Sequence, residues 1–244
     1  MSVRASVAAL WLILPTYNEV ENLEPLVQAL LPRLESTGLT HRILVVDDNS
    51  PDGTGDEADR LAREVAHVEV LHRAHKQGLG RAYLAGFEVA LGAGAELVME
   101  MDADFSHDPA DVPRLIAAAN AADLVLGSRY VPGGGVANWG MARRMVSRGG
   151  CAYARLVLGI PVRDLTGGFK CFHRRVLETL DLNGVHANGY GFQIELTYKA
   201  VRAGYTVMEV PIVFRERRRG VSKMTPRIAL EAVWKVPGLR LRAR

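Results

Sequence analysis

Asp102 and Asp104 stand one residue apart where an apolar run, Leu97-Val98-Met99-Glu100-Met101, gives way to the turn sequence Phe105-Ser106-His107-Asp108-Pro109. The run reads as a buried strand interrupted only by its glutamate, so both carboxylates fall at its C-terminal end. In an open α/β sheet, ligands bind in the crevice beyond those ends. Two acids there can hold a hard divalent cation, and the cation can hold a diphosphate. That chemistry belongs to a nucleotide site. Three more strand-like segments end in polar clusters: Leu14-Pro15-Thr16-Tyr17-Asn18-Glu19, then Asp47-Asp48-Asn49-Ser50-Pro51-Asp52-Gly53-Thr54, then Gly127-Ser128-Arg129-Tyr130. One acidic turn is ordinarily a helix cap or a surface loop. Four polar clusters at the same end of one parallel sheet are more than caps.

The elements that must position these clusters can be read from periodicity. Val7–Leu14, Ile43–Val46, Val68–Leu71 and Asp123–Leu126 read as further short strands. From Asn22, apolar residues at Leu23, Leu26, Val27, Leu30, Leu31 and Leu34 have helical spacing, and Glu57–Val65 and Gly78–Leu91 read as helices. Strands alternating with helices of this length predict βαβ units and a largely parallel sheet, with a short antiparallel part at its open edge. After Tyr130 the pattern changes. Pro132-Gly133-Gly134-Gly135 reads as a flexible break, and a basic amphipathic segment, residues 136–160, follows. Arg144, Arg148 and Arg155 share one side of it, while Met145, Val146, Gly149, Tyr153, Leu156 and Val157 fill the opposing sector. Such a helix either lies on anionic lipid or packs its apolar side on the domain with its arginines in water. Gly149-Gly150 predicts a kink, or a break into two shorter helices.

The 244 residues suffice for one large domain or two small ones, and 48% hydrophobic with 23% charged residues is ordinary for a globular chain. No apolar stretch reaches the roughly 18 residues of a membrane span. Met1–Leu14 carries no A-x-A cleavage pattern, and its apolar part, Val7–Leu14, reads as the first strand rather than the core of a signal peptide. Cys151 and Cys171 have no metal or redox spacing, which fits a reducing compartment. The net charge of +3 is unevenly placed: residues 215–244 hold ten Lys/Arg against Glu216 and Glu231. A basic end of this kind meets phosphates, nucleic acid or an anionic membrane, or is simply solvated. Trp234 is its one aromatic, which argues against nucleic acid. The seven histidines lack ligand spacing, with His107, beside the carboxylate pair, as the exception to test. Gly78 and Gly80 make no phosphate-binding loop, because Gly-Lys-Ser/Thr is missing. Trp139 fits an interfacial anchor as well as a core residue.

Taken together, DDNSPDGT, MDADFSHDP, GSRY, DLTGGFKCF, GYGFQIE and FRERRRGVSK resemble the blocks of the family 2 glycosyltransferases, and within them the dolichol-phosphate (polyprenol-phosphate) mannose synthases. The resemblance spans roughly residues 10–225. It implies a GT-A (Rossmann-like) α/β fold, a mostly parallel central sheet with flanking helices. The activity it implies is inverting transfer of mannose from GDP-mannose to a polyprenyl monophosphate, giving polyprenyl-phosphate mannose and GDP. Glucosyl or other hexosyl transfer to the same lipid, or a non-catalytic subunit binding lipid or nucleotide-sugar, are the alternatives. Residues 1–214 would form the catalytic domain, and 215–244 the acceptor-loop motif and basic tail.

By the same resemblance, Asp102, Asp104 and Ser106 hold Mg²⁺ or Mn²⁺; Ser106 stands where some relatives have glutamine, and its hydroxyl is the weaker ligand. Pro15, Tyr17, Glu19, Val46, Asp48 and Ala103 match nucleotide contacts, with Tyr17 and Asp48 placed to bracket base and ribose. Gln193 and Glu195 fall near the sugar. Arg129, Arg217 and Lys223 match the cations of catalysis, and Arg143 and Ser222 belong with the acceptor phosphate. Asp164 either caps a helix or orients the acceptor loop. A phosphate acceptor needs no general base, because its second pKa is near 6 and it is largely dianionic at neutral pH. Catalysis is therefore expected from positioning and electrostatics, with Asp104, Arg129, Arg217 and Lys223 carrying it. The expected location is cytoplasmic, peripheral on the cytosolic face of a membrane. Expected partners are an anionic lipid surface and a separate membrane-anchoring subunit, and no nucleic acid.

Overall fold

The computed structural model of the chain describes residues 9–182, 184–185, 189–216 and 236–241. Its frame is a seven-stranded sheet in the order β3-β2-β1-β4-β7-β5-β8. The strands are β1 (Leu10–Thr16), β2 (His41–Asp47), β3 (Val68–His72), β4 (Leu97–Glu100), β5 (Leu124–Ser128), β7 (Lys170–His173) and β8 (Val207–Pro211). β6 (Gly135–Val136) and β9 (Val213–Phe214) pair with each other as a separate two-stranded ribbon.

Residues alternate sides along each strand, so each strand feeds two cores. On one side, Trp11 and Ile13 of β1 and Leu44 and Val46 of β2 meet α3 (Leu79–Gly92), α5 (Met141–Leu158), α6 (Arg174–Thr179) and α7 (Tyr190–Arg202). On the other, Leu10, Leu12 and Leu14 with Ile43 and Val45 meet α1 (Val20–Glu35), α2 (Thr54–Glu64) and α4 (Val112–Ala118). The helical spacing of Leu23, Leu26, Val27, Leu30 and Leu34 is the buried stripe of α1. The expected βαβ pattern is thus a doubly covered sheet, and both faces of its strands are apolar for that reason.

Four expectations are corrected. The antiparallel strand is not at an open edge: β7 runs antiparallel between β4 and β5, deep in the sheet. β1 does not stop at Leu14 but continues through Pro15, which pairs in register with Val46, to Thr16. The glycine run is an ordered close approach rather than a flexible break. A Cβ on Gly134 would lie 2.5 Å from the Ser128 carbonyl oxygen, so only glycine fits. α5 runs as one helix through Gly149-Gly150 and ends at Gly159, whose φ of 68° is the left-handed cap that glycine favours.

The packed face of α5 is also not the wide apolar sector. Cys151, Ala154 and Leu158 are its buried residues, while Met141, Met145, Val146 and Leu156 are 68–80% exposed. Few residues tie the first three turns of this helix to the domain. Tyr153 and Val157 of the apolar sector pack in part on the first core, while Met145, Val146 and Leu156 face outward beside Arg143, Arg144, Arg148 and Arg155, all exposed.

Candidate active site

Because β1, β2, β4 and β5 are parallel to one another, their four polar clusters do collect at one end of the sheet. Not all of the residues there are available to a ligand. Asp47 is used internally: its carboxylate accepts from the Ser50 hydroxyl (2.5 Å), the Ser50 N–H (3.1 Å) and the Thr16 hydroxyl (3.3 Å). Glu19 accepts from Asn22 Nδ2 at 2.8 Å, and its N–H donates to Thr54 Oγ1 at 2.9 Å, fastening the end of β1 to the start of α2. Pro15 and Val46 are buried, and the Val46 side chain belongs to the core under α3, so only the backbone there can meet a nucleotide.

Asp48 is an organiser of the crevice wall. It is buried, accepts from the N–H groups of Gln77 (3.0 Å) and Gly78 (2.7 Å), and pairs with the Arg73 guanidinium. The 73–78 loop is thereby held against the end of β2, and Lys76 Nζ lies 3.5 Å from the centre of the Tyr17 ring. Tyr17 and Asp48 do sit together, with a cation over the aromatic face.

The carboxylate pair follows β4 directly. Asp102 keeps its side chain 30% exposed, and Tyr83 of α3 donates to its Oδ1 at 3.3 Å. Burial, and then the Asp102 charge, push the Tyr83 phenol well above its ordinary value, so it stays a donor. Ala103 is buried against the second core. Asp104, also buried, accepts from the Ser106 N–H at 3.0 Å, closing a tight turn around Phe105, whose φ of 61° is left-handed. That turn brings Ser106 and His107 back under the carboxylates. The Ser106 hydroxyl and both His107 ring nitrogens are buried with no hydrogen-bond partner among the described residues. His107 Nε2 lies 3.6 Å from Asp102 Oδ2, and its ring touches Phe169 (5.0 Å between centroids) and Phe214 (5.1 Å).

Beneath the pair lies a buried charge ladder. Glu100 of β4 and Lys170 of β7 are directly opposite in register and both 0% exposed. Burial pushes the Glu100 carboxyl up to about 7 against the pull of Lys170, and pushes the Lys170 ammonium down to about 8 against the pull of Glu100. Gln193, near the start of α7, receives the Lys170 ammonium, whereas Glu195 turns to Lys199 at 3.1 Å.

Arg129, at the end of β5, is buried and committed. Its Nε and Nη2 donate to the two Asp164 oxygens at 2.7 Å each, Nη2 also reaches Thr166 Oγ1 at 2.7 Å, and its backbone N–H donates to Asp164 at 2.9 Å. Burial alone would raise the Asp164 carboxyl, but the guanidinium and its hydrogen bonds outweigh that and hold it below the ordinary aspartate value. Asp164 is therefore not a helix cap; it fixes Arg129. The guanidinium carbon lies 5.2–5.9 Å from the Tyr130, Phe214 and Trp139 rings. Trp139 is buried against Phe214, a core residue of this site rather than an interfacial anchor, and the exposed Arg143 lies 4.1 Å over its ring. The structure thus brings Arg129 and Arg143 to one indole, and joins them to the carboxylate turn through His107, Phe214 and Trp139. Arg217, Ser222 and Lys223 lie outside the described residues. Sequence reasoning missed Tyr83, Lys170 and the Arg129–Asp164 pair; only the DLTGG block signalled any of them.

The carboxylates, the buried Ser106 hydroxyl and their oxygen chemistry fit a hard divalent cation. Among the described residues, no third acidic, His or Cys side chain completes a closed cage.

Residues 11–181 match the model of glycosyl transferase family 2. The chain is 48% identical over 232 residues to an undecaprenyl-phosphate mannosyltransferase of Micrococcus luteus, covering 95% of this chain and 94% of that protein. It is 49% identical over 234 residues to a polyprenol monophosphomannose synthase of Mycolicibacterium smegmatis, covering 95% and 87%. Among solved structures, it superposes on the glucosyl-3-phosphoglycerate synthase of Mycobacterium tuberculosis in complex with Mn²⁺ and UDP-glucose. The TM-score is 0.67 at 20% identity, over 97% of this chain and 79% of that one, a likeness of fold alone.

Proposed function

The chain belongs to glycosyl transferase family 2 and has the GT-A fold, and from that premise we propose that it transfers mannose, with inversion, from GDP-mannose to a polyprenyl monophosphate. The observation that carries the reading is the junction at Phe214, which links the Asp102–Asp104 turn to the Arg129–Trp139–Arg143 group. One side suits a leaving diphosphate and the other an incoming phosphate, with the sugar as the group that passes. Near-half identity to two polyprenyl-phosphate mannosyltransferases over 95% of the chain supports the choice of sugar and acceptor.

Each residue's part follows from its surroundings. Tyr17, Lys76 and the Asp48-anchored loop receive the nucleoside. Asp102 and Asp104 hold Mg²⁺ or Mn²⁺, with the Ser106 hydroxyl beside them; when bound, the cation neutralises charge on the leaving diphosphate as a Lewis acid. Arg143, exposed and stacked on Trp139, is placed to take the acceptor phosphate. Arg129 contributes differently from a free clamp: with Nε and Nη2 spent on Asp164, it supplies positive potential and one remaining edge. Arg217, Ser222 and Lys223 would complete the acceptor side. The acceptor phosphate attacks as a dianion, so no protein base is required.

The direct test is sugar transfer to a short polyprenyl phosphate from GDP-mannose and from UDP-glucose, each with Mg²⁺, Mn²⁺ or EDTA. Transfer from GDP-mannose that EDTA abolishes is the expected result; a preference for UDP-glucose would replace mannose with glucose in this reading.

We propose that the outward sector of α5 rests on a membrane. Among the described residues no helix is long and apolar enough to cross one. Met141, Met145, Val146 and Leu156 are nonetheless exposed next to four arginines, the composition of a helix that lies on anionic lipid. We place the chain as a peripheral protein on the cytosolic face. Burying two such side chains stabilises attachment by about 3 kcal/mol or more. Met145→Asp with Leu156→Asp is therefore expected to cut sedimentation with anionic vesicles at least about tenfold, with transfer to a short, detergent-dispersed acceptor unchanged. Undiminished vesicle binding would assign the face to a separate anchoring subunit instead.

A further inference from the structure

The Lys170–Gln193 contact is not used by the transfer chemistry above, yet it sits directly under the carboxylate pair. Lys170 is a buried lysine on a central strand, and its Nζ donates twice to one residue. It reaches the Gln193 backbone carbonyl at 2.9 Å and the Gln193 side-chain Oε1. Holding Oε1 with an ammonium decides which way the amide faces, because the opposite orientation would set two N–H groups against a cation. Nε2 must then point away from Lys170. It is buried, makes no hydrogen bond of ordinary geometry among the described residues, and lies close enough to Glu100 for the Gln193 side chain to hold that carboxyl down.

What it points towards is marked by a glycine. A Cβ on Gly168 would lie 3.4 Å from Gln193 Nε2 and 3.4 Å from Asp102 Oδ1, so the amide and the carboxylate flank the same glycine. Glu100 completes the arrangement. It stands opposite Lys170 in the β4–β7 register, each charge favours the other's charged form, and the Gln193 side chain holds its carboxyl down as well, although burial outweighs both. Two opposite charges buried together are alone weak evidence for stability, since apolar residues of similar volume often serve as well. Their retention beneath an acidic turn calls for a further reason.

We propose that Lys170 is a positioning residue for the cation–diphosphate site: it locks the Gln193 amide so that its N–H donors face the Asp102 carboxylate and the oxygens bound beside it. Glu100 balances the charge that this requires. The inference rests on the reading of Asp102 and Asp104 as cation ligands. It deepens that reading by adding three residues behind them. Partners of this kind, one shell behind metal ligands, commonly change metal affinity 10–100-fold.

The test separates positioning from simple core structure. Glu100→Leu combined with Lys170→Met removes both charges, so no unpaired ion is left, but it also frees the Gln193 amide to turn. Binding of Mn²⁺ with GDP, followed by the Mn²⁺ paramagnetic resonance signal, is expected to weaken at least about tenfold. The KM for nucleotide-sugar should rise in parallel, while kcat stays within a few-fold and the melting temperature stays near that of the parent. Gln193→Leu, which keeps Glu100 and Lys170 and deletes the amide, should show the same loss. It decides the matter if the double variant does not fold. Parental Mn²⁺–GDP affinity in the folded double variant, or in Gln193→Leu, overturns the proposal. Absence of Mn²⁺–GDP binding by the parent protein itself would instead sink the cation reading on which the proposal stands.

Discussion

Asp104→Ala is expected to lower mannosyl transfer about 10³-fold, the scale seen when a preorganised group that stabilises transition-state charge is removed. The carboxylate is buried at the end of β4 and has two duties: as an anion at the proposed cation site, and as acceptor for the Ser106 N–H at 3.0 Å. Alanine removes both, so a loosened turn would be an alternative cause of the loss. Asp104→Asn distinguishes them. Its amide oxygen can still accept from Ser106, a hydrogen bond worth about 1 kcal/mol net, but it carries no charge. If the charge is what matters, Asp104→Asn falls nearly as far as Asp104→Ala, melts at the parental temperature and needs far more Mn²⁺ to reach half its maximal rate. If the turn is what matters, Asp104→Asn keeps most of its activity. Unchanged transfer in both variants would leave only a non-catalytic binding subunit. Radiolabelled transfer from GDP-mannose over a Mn²⁺ titration reads all of these outcomes.

The sheet-end clusters were legible because each is local: a run of apolar residues stops and a polar turn begins, and the alternation of strands with helices aligns those ends. What was not legible is pairing at long range. Arg129 and Asp164 are 35 positions apart, and nothing around GSRY says that its guanidinium is already occupied. The direction of β7 is likewise not written in Lys-Cys-Phe-His; it follows from where the preceding chain delivers the strand, between β4 and β5. Lys170 contradicts the usual rule that lysines stay at the surface, and is buried only because Glu100 and Gln193 meet it there. For α5, periodicity separated an arginine side from an apolar side correctly. It could not show that packing would centre on the narrow row of Cys151, Ala154 and Leu158 and leave Met145, Val146 and Leu156 outside. Small residues allow close approach to the domain, and a hydrophobicity pattern gives them little weight. The metal turn lies between these extremes: Asp102 and Asp104 were plain from type and spacing, while the Tyr83 hydroxyl that steadies Asp102 comes from a helix whose periodicity marks it only as core.

The largest stability effect is expected at Asp164. Asp164→Ala leaves the Arg129 guanidinium buried without its bidentate partner, and breaking a buried pair from one side costs about 3–5 kcal/mol. For a domain of this size that lowers the melting temperature by about 10 °C, measurable by differential scanning calorimetry. The pH dependence has a definite sign. Asp164 is held below its ordinary value in the fold, so its contribution is complete above the unfolded pKa of about 4 and is lost as pH falls through the lower folded value. The stability gap between parent and Asp164→Ala should therefore be constant near neutrality and close on acidification. A second variant shows what the pair is for. Arg129→Met with Asp164→Leu removes both charges, and replacing a whole buried pair with apolar residues is often close to neutral for stability. If the pair served only the fold, this double variant would melt near the parental temperature and still transfer sugar. With Arg129 stationed among Tyr130, Trp139 and Phe214, one indole away from Arg143, the expected result is recovered stability without recovered activity. A stable double variant with parental kcat/KM for the lipid acceptor would remove Arg129 from the catalytic group and leave the acceptor phosphate to Arg143 and the residues that follow β9.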